Sequence, residues 1–124
     1  MTMSMKQIHT KVSKHLLKQG KRSERFEGAD NTCLYRSDDG LMCAVGCLIP
    51  DDHYHCGLED HDVDHPIVKS VLVDVLGANL DSKLDLLSRL QYIHDQVPVE
   101  DWSDTLEGLK KDYKGNFQIL GEGL

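Results

Sequence analysis

Apolar side chains recur at helical spacing along residues 4–19, with lysines on the opposite side. This is the pattern of an amphipathic helix that buries one face. Ser4 followed by Gln7 matches a capping box at its start, and Gly20 can end it. The apolar positions are Ile8, Val12 and Leu16. The pattern therefore predicts one helix with a single buried face.

Three later stretches, residues 66–76, 82–97 and 99–114, show the same periodicity. Asp81 or Ser82 is the expected N-cap of the second stretch, because both side chains can accept a hydrogen bond from a free backbone N–H. The apolar positions are Ile67, Val71, Leu72 and Val75, then Leu84, Leu87, Leu90, Ile93 and Val97, then Trp102, Leu106, Leu109 and Tyr113. Three more helices are predicted.

A different pattern, alternation of apolar and polar positions, runs through residues 32–37 and 41–46. It predicts two short strands around an Asp-Asp-Gly turn, with Gly40 in the left-handed conformation and Tyr35 opposite Cys43. One face of this hairpin would be apolar: Cys33, Tyr35, Leu41, Cys43 and Val45. A two-stranded ribbon is marginal alone, so we expect helices to cover that face.

Together these patterns predict an α+β fold in which about four helices pack on a short two-stranded β-hairpin. A chain of 124 residues suits one domain with one core, so residues 1–124 are expected to form a single globular unit. Residues 21–30 are polar and predict a connecting loop. Residues 116–124 contain two glycines and predict either a short strand or a frayed tail.

Charge is distributed unevenly around a net value of −7. Residues 1–37 carry eight Lys or Arg against three acids, whereas residues 38–68 carry eight acids and no Lys or Arg. Such polarity can steer partners of either sign, but the overall negative field disfavours binding to nucleic acid. No apolar run is long enough to span a membrane, and the N-terminus lacks a secretion signal. A cytoplasmic protein with reduced cysteines is expected.

A zinc site is one reading of the cysteines and histidines between residues 33 and 65. Thiolates and imidazoles are the usual zinc ligands. The candidate ligands are Cys43, Cys47, His53, His55 and Cys56. The spacing argues against them, because Cys43 and Cys47 would lie roughly 13 Å apart on a straight strand. No cofactor is therefore expected, with zinc as the alternative.

A nucleophilic site is a second reading, in which Cys43 or Cys33 attacks and His94 acts as base, oriented by Asp95. No catalytic signature surrounds these cysteines. Cysteine is also among the most buried residue types, and Cys43 alternates with apolar neighbours as a core residue would. A Cys-His hydrolase or transferase is thus the less favoured alternative.

A binding surface is the third reading, located on the acidic loop beyond Pro50. Tyr54 lies in a polar segment and is expected to be exposed, where an aromatic ring can anchor a protein partner. Asp51 and Asp52 supply negative charge next to it, although paired aspartates at turns also have structural duties.

Several motifs resemble a family of small proteins encoded by tailed bacteriophages and prophages. They are C-x-Y-R from Cys33, Gly40, CAVGCLIPD from Cys43, RLQ-x-IHD from Arg89, and DW at Asp101. The resemblance covers most of residues 12–113. It implies a phage origin and a role inside an infected bacterial cell, without implying a mechanism.

The resemblance also ranks the candidate residues. Cys33, Arg36, Cys43 and His94 match the family motifs, so any shared function would involve them, and Arg36 joins the candidate binding residues. The family's region after Ile-Pro-Asp is a Tyr-containing acidic stretch without obligatory histidines, which weakens the zinc reading further. The sequence therefore predicts a non-enzymatic phage accessory protein that binds a host or phage protein, and leaves the oligomeric state open.

Overall fold

Four α-helices make up most of the ordered secondary structure in a computed structural model of the protein. The model describes residues 3–27, 30–59, 61–77 and 79–112, with side chains for all of these except 26–27 and 30–32. The helices are α1 (Met5–Gln19), α2 (Pro66–Leu76), α3 (Leu84–Gln96) and α4 (Trp102–Asp112). Shorter 3-10 turns cover Gly46–Leu48, Cys56–Leu58, Leu80–Lys83 and Val99–Asp101.

Helix α1 begins and ends where its sequence predicts. The Ser4 hydroxyl accepts the Gln7 N–H at 3.1 Å, and the Gln7 side chain accepts the Ser4 N–H at 2.9 Å, which completes the capping box. Gly20 adopts φ 65° and donates to the Leu16 carbonyl. The predicted apolar face of α1 is fully buried. Both ends are thus determined by local chemistry.

The other three predicted helices also form, but α3 and α4 begin at Leu84 and Trp102, later than predicted, because a 3-10 turn precedes each of them. Neither Asp81 nor Ser82 caps α3, because both lie inside the 3-10 turn that precedes the helix. Lys83 takes the N-cap position and makes no side-chain cap bond. Tyr113 and the predicted tail, residues 116–124, lie outside the described residues.

The core forms where α1, α3 and α4 pack against one another, and α2 joins it next to the Leu80–Lys83 turn. Trp102 at the start of α4 is completely buried, and its indole N–H donates to the Val97 carbonyl at 3.0 Å. No helix within the described ranges has the length and apolar content needed to cross a membrane.

The predicted α+β architecture is wrong, because the protein is predominantly helical and residues 32–37 and 41–46 do not form a hairpin. Only the turn and its first pairing form. Gly40 adopts φ 86°, and Arg36 lies opposite Met42 in an isolated bridge. The short strands within the described residues are β1 (Glu24–Glu27) and β2 (Asp30–Cys33), paired antiparallel. β1 falls in the segment that the polar pattern assigned to a loop.

The predicted second strand is replaced by a helical turn after Cys43. Val45 has helical dihedral angles, and the Cys47 N–H bonds back to the Cys43 carbonyl at 3.2 Å. Gly46 packs so closely on Tyr35 that a Cβ there would lie 2.0 Å from the Tyr35 carbonyl oxygen. Cys43 and Val45 are buried as predicted, but on a turn packed against α1 and not on a strand.

Candidate acidic cleft

A cleft of about 640 Å³ opens between the outer face of α3 and the segment that leads into α2. Helical spacing places Ser88, Gln91 and Asp95 along one side, with Tyr92 beside them. The opposite wall is residues 61–64, and Cys33 and Tyr35 also line the cleft. None of the described lining residues is Lys or Arg, whereas three are aspartates: Asp62, Asp64 and Asp95.

The Asp95 carboxylate is held in place by three side chains. Its Oδ1 atom accepts from His94 Nδ1 at 2.6 Å and from Gln91 Nε2 at 3.0 Å. The Cys33 thiol is also hydrogen-bonded to this carboxylate. Gln91 in turn accepts the Val45 N–H at 3.0 Å. Since the Asp95 side chain remains 28% exposed, a fixed negative group faces the cleft.

His94 supports Asp95 from a completely buried position. Its Nε2 atom accepts the Ser23 backbone N–H at 2.9 Å, and a backbone amide can only donate. The ring therefore carries its proton on Nδ1, which donates to Asp95. Both ring nitrogens are occupied, and the Trp102 ring stacks at 5.8 Å between centroids.

Cys33, His94 and Asp95 have ligand atoms within 4.8 Å of one another, close enough to share a metal ion. A metal on Nδ1 of a neutral imidazole requires the proton on Nε2. That proton would then point at the Ser23 N–H, which now donates to Nε2. The three residues fit a hydrogen-bonded support for Asp95 better than a zinc site.

The five candidate zinc ligands do not converge. Cys43 is buried and its sulfur accepts the Gly46 N–H at 3.2 Å, while the Cys47 thiol donates to the Ala44 carbonyl at 3.1 Å. His53 contacts Asp52 at 3.0 Å. The remaining two, His55 and Cys56, are exposed. In the described part of the chain, no three of these five residues group as potential metal ligands.

The predicted catalytic residues are partly brought together. Cys33 lies beside His94 and Asp95, whereas Cys43 is sealed in the core. Burial and the neighbouring Asp95 raise the pKa of the Cys33 thiol to about 12, and burial raises the pKa of Cys43 as well. Nucleophilic attack needs the thiolate, so both sulfurs are poor nucleophiles at neutral pH.

The predicted binding residues Arg36, Asp51 and Tyr54 meet, and they hold the loop that follows Pro50. Arg36 pairs with Asp51 at 2.7 Å and donates to the Ile49 carbonyl at 2.5 Å. Its guanidinium carbon lies 4.7 Å from the centre of the Tyr54 ring. The fourth predicted residue, Asp52, is exposed beside His53. Arg36 is thus bound within the chain through its two Nη atoms, while its buried Nε has no hydrogen-bond partner in the described part of the chain.

Glu59 completes this loop and was missed from the sequence. Its carboxylate accepts the backbone N–H groups of Tyr35 and Arg36 and the Tyr54 hydroxyl, at 2.8, 3.2 and 2.6 Å. Burial and this last bond raise the pKa of Tyr54 to about 12. Glu59 is one of several acidic residues in its segment, and nothing in the sequence distinguishes it as the acceptor of these bonds.

The cleft residues Asp62, Asp64, Gln91 and Tyr92 were also missed. The acid-rich run before α2 was visible in the sequence, and Tyr92 falls off the apolar spacing of α3, which is consistent with its 62% exposure. What could not be seen is that the two segments face each other across one opening.

No protein-family model, no curated protein and no solved structure matches this chain.

Proposed function

We propose that this protein is a small non-enzymatic accessory protein that binds a basic segment of a partner protein in its acidic cleft. The observation that carries the proposal is the set of three aspartates around one opening, with no Lys or Arg among the described lining residues. The phage resemblance adds that the partner is a host or phage protein, met in the cytoplasm of an infected bacterium.

Electrostatics favour a cationic ligand at this position. Carboxylates that line one opening raise the local concentration of cations there together, so their attraction for Lys or Arg adds up. The exposed Tyr92 ring offers a face on which a guanidinium can stack. The same charges repel phosphates, which argues against a nucleic-acid ligand.

The chemistry around Asp95 supports binding over catalysis. The Cys33 thiol is protonated at neutral pH, and both nitrogens of His94 are already used within the fold. A general base needs a free nitrogen within reach of a substrate proton. Asp95 is instead held as a fixed carboxylate, which suits recognition of a cation.

A labelled peptide of alternating arginine and serine residues tests the proposal by fluorescence anisotropy. We expect the D62N/D64N variant to bind about tenfold more weakly than the unmodified protein, because it removes two of the three cleft carboxylates. The matched control D74N/D101N makes the same change of net charge at two exposed positions outside the cleft. Equal losses in both variants would show nonspecific charge attraction and contradict the proposal.

Affinity capture from infected bacteria then identifies the partner. Unmodified protein and D62N/D64N are used as paired baits, and the true partner should be enriched only on the first. Its contact with the cleft should map, by crosslinking, to a segment rich in Lys or Arg. Failure to enrich any such protein across several hosts would count against the proposal.

Elemental analysis separates this proposal from zinc binding. Protein purified without a chelator is expected to contain less than about a tenth of an equivalent of zinc. The measurement is decisive because structural zinc binds tightly enough to survive purification. A full equivalent would instead support the zinc alternative.

A further inference from the structure

Two stacked histidines lie along the loop wall of the cleft, the wall that residues 61–64 form. The rings of His61 and His65 lie 3.9 Å apart between centroids and 20° from parallel. His61 lines the cleft, and its carbonyl accepts the Tyr35 hydroxyl at 2.5 Å. His65 is the N-cap of α2, where its Nδ1 atom accepts the Ile67 N–H at 3.2 Å. The pair therefore links the cleft wall to the start of a helix.

Protonation is incompatible with this arrangement. The cap bond uses the Nδ1 lone pair of His65, so a proton on that atom removes the bond. A charged ring at this position also opposes the positive end of the helix dipole, and the first turn of α2 contains no acidic residue to offset it. If both rings are charged, two cations face each other at stacking distance.

Titratable and charged groups face the pair from both sides. The titratable groups that share the cleft with His61 are Cys33, Tyr35, Asp62, Asp64, Tyr92 and Asp95. On the α2 side, Lys69 is paired with Asp81 at 3.6 Å. Imidazole is the ordinary side chain whose charge can change between about pH 5 and about pH 8.

We propose that the His61–His65 pair is a pH-sensitive switch on the cleft, which binds its basic partner when the rings are neutral and releases it on acidification. The inference rests on the proposed function. A proton on His61 adds positive charge where the partner's cation binds, and a proton on His65 frees the start of α2 next to residues 61–64. Protons and the partner then compete by linkage.

Peptide affinity measured against pH tests the switch. Between about pH 7.5 and about pH 5.5, the arginine–serine peptide should lose roughly fivefold or more in affinity for the unmodified protein. In H61Q/H65N neither position titrates, and asparagine can still cap α2. This variant should show the same affinity at both pH values, whatever its affinity at the higher pH. The control H53Q, outside the cleft, should retain the full pH dependence.

A second measurement needs no ligand. In NMR titrations of the free protein, the amide of Ile67 should shift with the same midpoint as the His65 ring, and its hydrogen exchange should accelerate on acidification. An Ile67 amide that ignores His65, or an H61Q/H65N variant that keeps the pH-dependent loss of affinity, would overturn the switch. Absence of peptide binding at every pH, with Ile67 still following His65, would overturn the proposed function and leave the switch at α2 standing.

Discussion

At the scale of single residues, Gly46 decides the path of the chain through the centre of the protein. Because a Cβ there would lie 2.0 Å from backbone oxygen, Gly46→Ala is expected to lower the free energy of unfolding by about 3 kcal/mol or more. The clash is with Tyr35 main-chain atoms, which cannot rotate away as a side chain could. Chemical denaturation monitored by circular dichroism measures the loss.

Gly108 provides the matched control for that substitution. It lies within α4, and a Cβ at this position would meet nothing within 4 Å. Gly108→Ala should therefore leave stability unchanged or raise it by up to about 1 kcal/mol, since alanine favours the helix. Similar losses in the two variants would mean that Gly46 has no special role.

The four cysteines should differ in reactivity according to their surroundings. At neutral pH we expect iodoacetamide to label exposed Cys56 first, half-buried Cys33 and Cys47 slowly, and buried Cys43 only after unfolding. Burial raises the pKa of Cys47 to about 12, as it does that of Cys33, so neither supplies much thiolate. Peptide mass spectrometry over time gives the order, with denatured protein as the reference. Rapid labelling of Cys33 would instead revive the nucleophile reading.

At the scale of elements, the C-terminal end of α3 depends on a side chain from another part of the chain. Arg22 donates from Nε to the His94 carbonyl at 2.8 Å and from Nη2 to the Val97 carbonyl. These bonds satisfy carbonyls at the helix end and place a cation at its negative pole. Arg22→Gln is expected to cost about 1–3 kcal/mol of unfolding free energy.

Arg89, which lies on α3 itself, is the control for Arg22. Its exposed ion pair with Asp112 is of a kind that contributes about 0–1 kcal/mol. Thermal unfolding should therefore show a clear decrease in Tm for Arg22→Gln and little change for Arg89→Gln. Equal decreases would indicate that arginine content, and not the helix end, matters.

Elements that depend on local chemistry were predictable from the sequence, and α1 shows why. Its cap residues, apolar face and terminal glycine all lie within one continuous segment, so the sequence contains the whole argument. The prediction of a hairpin was wrong because the structure of residues 32–37 and 41–46 depends on contacts with residues far away in the sequence. The approach of Gly46 to Tyr35 and the pairing of Cys33 with Glu24 cannot be read from alternation of apolar and polar residues.

At the candidate site, too, the sequence predicts some features and not others. The motifs around Cys33 and His94 identify residues that do lie beside Asp95 in the structure. Their predicted roles as nucleophile and base do not follow, because the bond from the Ser23 N–H determines which nitrogen of His94 carries the proton. This hydrogen bond joins two residues that are 71 positions apart, and no pattern in the sequence predicts it.

At the scale of the whole molecule, the Cys33 and Cys47 thiols are expected to make the free energy of unfolding decrease at alkaline pH. Burial raises the pKa values of Cys33 and Cys47 from the ordinary 9.0 to about 12. Their folded pKa values exceed the unfolded ones, so this contribution to stability is full below pH 9 and is lost as pH rises toward 12. The free energy of unfolding should therefore fall steadily across that window.

Cys47→Ser separates this effect from general alkaline damage. Serine can still donate to the Ala44 carbonyl but does not titrate in this range. The variant should show a shallower decrease in stability above pH 9 than the unmodified protein. Cys56→Ser, at an exposed thiol, should leave the slope unchanged. A slope that is the same in all three proteins would exclude the Cys47 thiol as a source.

The three aspartates of the cleft differ in how freely they can be changed. Asp95 is tied through His94 to Ser23 and through Gln91 to Val45, so a substitution there disturbs several parts of the fold at once. Asp62 and Asp64 are exposed on the loop wall. Substitution of Asp62 or Asp64 is therefore expected to change the charge of the cleft without loss of folding. Under the proposed function, Asp95 is an anchor that the fold itself requires, and the two loop aspartates are the positions at which specificity for a partner can change.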